Sequence, residues 1–123
     1  MNKNVIEFFN SSELVDYKKS IELMEKRVEG IKEGKVSELL WFLEHPPIYT
    51  AGTSSNDKDL LNKNLFPVFR TNRGGQFTYH GPGQRVAYVM LNVRDRDYNV
   101  KSFIRLLEQW IMNSLADIGI KSF

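Results

Sequence analysis

Apolar residues recur along this chain with two different periods, and the switches between them outline the expected elements. Residues 5–9 (Val-Ile-Glu-Phe-Phe) are short, apolar and β-prone, which predicts a first strand. Asn10 with Glu13 three positions on has the form of a capping box, so a helix is expected to start there. Leu14, Tyr17, Ile21, Met24, Val28 and Ile31 then recur at spacings of three and four, one stripe of an amphipathic helix, and Gly34 is a suitable stop. The stripe lasts under three heptads, so it predicts packing onto a core, not a coiled coil. Each aliphatic side chain buried on it contributes roughly 1.5–3 kcal/mol.

The period then changes. Residues 39–43 (Leu-Leu-Trp-Phe-Leu) form a continuous apolar run too short for a helix, the pattern of a strand covered on both faces. Glu44-His45-Pro46-Pro47 ends it, because proline has no N–H for a central ladder. An extended path resumes over residues 48–51. A polar loop follows over residues 52–64, with one helical turn expected around Leu60 and Leu61. Residues 66–70 and 86–91 are further candidate strands, separated by a glycine-rich segment. Arg94-Asp95-Arg96-Asp97 reads as a charged turn. Asn99 caps a second helix on which Phe103, Leu107, Trp110, Ile111, Leu115 and Ile118 share a face, closed by Gly119. The strands between the helices are joined by connections too short for crossover helices. The expected fold is therefore α+β: a mixed, largely antiparallel sheet packed with helices, in one domain over residues 1–123 with no internal repeat or interdomain linker.

Composition narrows the function classes. A net charge of only +2, with basic residues mixed among acids as in Glu25-Lys26-Arg27, argues against a nucleic-acid binder and for a solvated helix face. The absence of cysteine excludes disulfides, thiolate metal sites and a cysteine nucleophile within these residues. The two histidines lack the spacing of a zinc site, and no metal or cofactor is expected. The first residues lack a signal-peptide pattern, and no segment approaches the roughly 20 apolar residues of a membrane span, so a cytoplasmic location is expected.

The chemistry is expected in Arg73-Gly74-Gly75-Gln76-Phe77-Thr78-Tyr79-His80-Gly81-Pro82-Gly83-Gln84, which holds Gly74, Gly75, Gly81 and Gly83 out of eight glycines in the chain. Glycine costs backbone entropy, so such a cluster implies a sharp turn or a ligand laid close to the backbone. It matches neither the P-loop pattern nor a dinucleotide fingerprint, and a strand follows Gly83 where those need a helix. Free N–H groups of the two-glycine turn would instead suit an oxyanion or a carbonyl. His80 has two readings: a group that transfers protons or donates to a carbonyl near neutral pH, or a structural residue fixing the Gly81-Pro82-Gly83 turn. Arg73 either binds an anionic substrate group or pairs with a nearby acid. Tyr79 reads as packing unless its hydroxyl reaches a pocket, and His45, beside two prolines, reads as structural. There is no G-x-S-x-G elbow.

The twelve-residue segment, with Glu44-His45-Pro46-Pro47-Ile48-Tyr49-Thr50-x-Gly52, resembles the signature blocks of the lipoyl(octanoyl) transferases, and the likeness runs over essentially the whole chain. It implies the fold of the biotin and lipoate–protein ligases and an acyltransferase that moves octanoyl from acyl carrier protein to a lysine of lipoyl domains. Those domains belong to 2-oxoacid dehydrogenase complexes and the glycine cleavage H protein. The related ligases themselves carry three consecutive glycines and a histidine followed by aspartate, unlike Gly81-Pro82 here. By the same resemblance, Arg73, Gly74, Gly75, Gln76, Phe77, Thr78, Tyr79 and His80 bind the acyl substrate, with Tyr79 and His80 near the acyl carbonyl. The family's nucleophilic cysteine and assisting lysine belong to its C-terminal half, which the resemblance places beyond Phe123. This chain is therefore expected to be an N-terminal portion without catalytic residues of its own. It is expected to be inactive alone and, with unpaired sheet edges, to self-associate. An ATP-dependent ligase relative and a non-catalytic remnant that only binds acyl chains or lipoyl domains are the alternatives.

Overall fold

A computed structural model describes residues 5–96 and 98–123, which divide into two compact units at Met90/Leu91. The first unit holds six strands and one helix: β1 (Ile6–Asn10), α1 (Tyr17–Lys32), β2 (Glu38–Leu43), β3 (Ile48–Ala51), β4 (Val68–Arg70), β5 (Phe77–His80) and β6 (Val86–Met90). They form two three-stranded sheets, ordered β1-β2-β6 and β4-β3-β5. In each, the central strand has one parallel and one antiparallel neighbour: β2 runs parallel to β1 and antiparallel to β6, and β3 parallel to β4 and antiparallel to β5. The mixed α+β architecture is the one expected from the pattern.

The first strand follows the sequence reading; the start of α1 does not. β1 extends through Asn10, which pairs with Phe42, so Asn10 is a ladder residue and not a cap. The helix begins six residues later, where the side chain of Asp16 accepts the N–H of Lys19. Residues 11–15 are pinned to β2's exit instead: Ser11 N–H donates to Phe42 C=O and Val15 N–H to Glu44 C=O, both at 2.9 Å. Leu14 therefore lies outside the helix and half exposed. Gly34, at φ 73°, closes α1 as the spacing predicts. Its N–H donates to Ile31 C=O and that of Lys35 to Gly30 C=O, the paired bonds of a Schellman end.

Alternation along β2 explains the core. Leu39, Trp41 and Leu43 point to one face and are buried with Met90 of β6; Val15, Met24, Ile31, Val86 and Tyr88 pack against them. Leu40 and Phe42, on the other face, are only partly buried, so the strand expected to be covered on both faces is fully covered on one. Arg27 of α1 ties the layer together, donating to Glu7 on β1 and to both the carbonyl and hydroxyl of Ser37. These bonds hold the Glu7 carboxyl below its usual range. β1 is an outer strand, and Phe8 and Phe9 on it are 71% and 55% exposed.

In the loop after β3, the helical turn falls on Asp57–Asp59, before Leu60 and Leu61, because the Asn56 side chain caps it by accepting Lys58 N–H. β5 has no counterpart in the pattern reading: the middle of the glycine-rich segment is a strand. The second unit contains a short 3-10 turn over Arg94–Arg96 and α2 (Val100–Asp117). Asn99 caps α2 as predicted, in a reciprocal capping box with Ser102, and Gly119 follows at φ 85°. Phe103, Leu107 and Leu115 of its apolar face are partly buried, while Trp110, Ile111 and Ile118 are exposed. Asp97, the last residue of the expected charged turn, lies outside the described residues. Among those described, no helix is long and apolar enough to cross a membrane.

Leu43 has no exposed surface. Truncating it to alanine leaves a cavity under α1 and should lower the unfolding free energy by about 2–5 kcal/mol, measurable by denaturant titration.

Candidate functional site

The glycine turn of residues 73–76 is folded against the exit of β3. Its carbonyls are all engaged: Arg73 C=O accepts from Thr53 N–H at 2.9 Å, Gln76 C=O from Gly52 N–H at 3.2 Å, and Gly75 C=O from both the amide and hydroxyl of Ser54 at 3.1 and 2.9 Å. The Arg73 guanidinium supplies the rest. It donates to Gly74 C=O (3.0 Å) and Gln76 C=O (3.2 Å), and on its other nitrogen to Thr50 C=O (3.1 Å), Thr50 Oγ1 (2.6 Å) and Thr78 Oγ1 (3.1 Å). Arg73 meets no acid among the described residues; its fork braces its own turn across the Thr50–Thr78 pair. Lysine could not replace that planar fork.

With the carbonyls turned to the protein, the amides are left. Among the described residues the N–H groups of Gly74 and Gly75 have no hydrogen-bond partner, and both residues are exposed. Gly75 adopts φ 93°, where a side chain would be strained. Two adjacent free donors on an exposed turn form a concavity suited to an oxyanion or a carbonyl oxygen. Gly52, whose importance only the second signature block hinted at, makes the turn possible: a Cβ there would lie 2.3 Å from Gly75 C=O and 2.7 Å from an Arg73 nitrogen.

Along β5 the predicted site residues separate by strand alternation. Tyr79 packs on Tyr49 and Phe66, with ring centroids 6.0 and 5.6 Å away, and its hydroxyl overhangs Gly81, where a Cβ would sit 2.0 Å from it. Phe77 shares that face and lines a small cavity of about 130 Å³ with Val68, Leu60 and Lys63. Thr78 and His80 take the opposite face, Thr78 against Thr50 and Arg73, His80 edge-on to His45 at 6.0 Å. The side chains of Tyr79 and His80 are therefore not brought together.

His80 is half-buried, and its Nδ1 is a buried atom with no partner. Burial chiefly, then the neighbouring His45 and the Arg73 charge, lowers its pKa from the ordinary 6.5. The lowered pKa keeps the ring neutral to a lower pH than an ordinary histidine. The turn after it is fixed by Glu44, whose Oε1 accepts Gly83 N–H at 2.6 Å, with Arg85 3.7 Å from its other oxygen. Glu44 is a residue the sequence reading missed; only its place in the second block pointed to it. Phe123, past which the resemblance puts the family's cysteine and lysine, belongs to the second unit. It is fully exposed, with the Lys121 ammonium 5.9 Å from its ring centroid.

The candidate site thus has a turn with two free amides at one end of β5 and a half-buried histidine at the other, on a sheet of mixed sense. Residues 16–123 match the family described as Lipoyl protein ligase A/B catalytic domain, and the chain belongs to it. It is similar to the protein named Octanoyltransferase in Brucella melitensis biotype 1, 54% identical over 116 residues that cover 94% of this chain and 44% of that protein. It also resembles the Octanoyltransferase of Ehrlichia chaffeensis, 48% identical over 124 residues (100% of this chain, 58% of that protein), and that of Anaplasma phagocytophilum, 50% identical over 119 residues (96% and 57%). The chain thus spans about half the length of the curated relatives it matches.

Gly52→Ala should lower the unfolding free energy by about 1–3 kcal/mol, whereas Gly74→Ala, where an added Cβ meets nothing within 4 Å, should change it by under about 1 kcal/mol. Equal losses in calorimetry or denaturant melts would contradict this account of the turn. The lowered His80 pKa also fixes a sign. The unfolded chain takes up this proton first, so the stability His80 contributes is complete above pH 6.5 and is lost as the pH falls through its lower folded value. The unfolding midpoint should drop between pH 7 and pH 5, and His80→Gln should flatten that drop.

Proposed function

We propose that residues 1–123 are the N-terminal portion of an octanoyltransferase catalytic domain, and that residues 73–80 hold the acyl group. In this reading octanoyl passes from octanoyl-acyl carrier protein to a lysine of lipoyl domains, those of 2-oxoacid dehydrogenase complexes and the glycine cleavage H protein, in the cytoplasm. The observation that carries it is the turn whose carbonyls are all engaged while the exposed amides of Gly74 and Gly75 are free. Those donors receive the thioester carbonyl oxygen, and their hydrogen bonds shorten as negative charge develops there. His80 adds a neutral imidazole, and Thr78 and Arg73 set the turn's position. Phe77 and Tyr79 keep the strand in register from the far face.

The covalent step falls to groups the resemblance assigns to the rest of the domain, beyond Phe123: a cysteine thiolate attacks the thioester carbonyl and expels the carrier's thiolate, and the target lysine then displaces the enzyme thiolate. A neighbouring lysine that lowers the cysteine pKa assists the first displacement. The 123 residues contain no cysteine and so form no acyl-thioester enzyme. Lys101 and Lys121 are not assigned the assisting role.

Mixing the chain with octanoyl-acyl carrier protein and a lipoyl domain should give no octanoyl adduct on the chain by intact mass, and no transfer. In ¹⁵N spectra, octanoyl-pantetheine should shift the Gly74 and Gly75 amides. An adduct that turns over, or an acyl thioester that binds while leaving both amides unmoved, would overturn the reading.

A further inference from the structure

His45 is wholly buried, which is rare for a side chain with two polar nitrogens. Both are engaged: Nδ1 lies 2.7 Å from Val15 C=O and Nε2 2.7 Å from the Tyr88 hydroxyl. A carbonyl can only accept, so Nδ1 carries the hydrogen and Nε2 accepts from Tyr88. Burial, reinforced by Tyr17 and slightly opposed by Ser20, pushes the Tyr88 hydroxyl up to about 12, so it keeps its proton to donate. The imidazole is therefore held at two opposite points, by the segment entering α1 and by β6, in one tautomer.

The held ring meets His80. The two planes stand at 84° with centroids 6.0 Å apart, while Tyr17 of α1 closes a second edge of His45 at 5.3 Å. The charged or titratable groups around His80 are His45 from the β2–β3 connection, Arg73 from the glycine turn, and Tyr17 and Tyr88 behind His45. None offers an acceptor to the buried Nδ1 of His80. An imidazole clamped at both nitrogens thus packs edge-on against the His80 ring and fixes one side of its surroundings.

We propose that His45, clamped between Val15 and Tyr88, is a positioning residue that fixes the ring plane and tautomer of His80. The role rests on the acyl-site reading for its purpose, but the coupling between the two rings can be measured without any ligand.

The chain has two histidines, so ¹⁵N-histidine labelling gives one set of ring signals for each. In the unmodified chain His45 should show the Nδ1–H tautomer and His80 a single fixed tautomer, with His80 titrating below an ordinary histidine. His45→Asn should raise the His80 midpoint toward the ordinary value and bring its nitrogen shifts to those of a mixed tautomer. Tyr88→Phe keeps His45 but removes its donor, and should shift the His45 Nε2 signal and loosen the His80 tautomer. His80 signals and midpoint unchanged in folded His45→Asn and Tyr88→Phe would overturn the proposal. If His45→Asn does not fold, Tyr88→Phe and the unmodified chain decide: a His45 that carries its hydrogen on Nε2 overturns it. Adding octanoyl-pantetheine separates the two readings. Coupled histidines with unmoved Gly74 and Gly75 amides would retain the coupling and sink the acyl site.

Discussion

Four carbonyls in a row, those of residues 73–76, find donors in the amides of Gly52, Thr53 and Ser54, the Ser54 hydroxyl and the Arg73 guanidinium. An exposed turn could leave such groups to water. Here they are bound by protein, which fixes the peptide planes and leaves the Gly74 and Gly75 amides on the open side. The second sheet is arranged to permit this. Thr50 and Thr78, paired across β3 and β5, present hydroxyls to one end of the Arg73 fork, and the glycine at 52 lets Gly75 C=O come close.

The first sheet serves the same end through its connection to the second. Val15 is held from both sides of its peptide unit, its N–H by Glu44 C=O and its C=O by His45. Glu44 reaches forward to Gly83, and His45 to Tyr88 and the His80 ring. Consecutive residues at the end of β2 thus fix the exit of β5 and one of its side chains. The core of Leu39, Trp41, Leu43 and Met90 keeps β2 and β6 in register, so the His45–Tyr88 bond inherits its geometry from apolar packing some residues away.

Local signals were legible in the sequence and long-range ones were not. The apolar run of β2, the glycine that closes α1 and the Asn99 cap of α2 are decided within a few residues. Asn10 shows where local reading fails: its side chain suits a helix cap, but its backbone is claimed by Phe42, a residue far along the chain. β5 was hidden for a related reason. Glycines on both sides made residues 73–84 read as one loop, yet residues 77–80 are extended because β3 offers them a ladder. The segment proposed to handle acyl groups could be picked out from its glycines and its resemblance. The parts of Glu44, Gly52 and Thr50 in shaping it could not, since each acts on residues 20 or more positions away.

The dependence of the turn on Gly52 bears on how this chain could be re-engineered. Residues 73–76 have no shape of their own to carry elsewhere: their path is the cast of β3 and its exit, with a gap at position 52 narrower than a methyl group. Grafting the turn onto another scaffold would require moving residues 50–54 with it, in register. Enlarging the proposed acyl site for a bulkier substrate would have to proceed from the open, amide-bearing side.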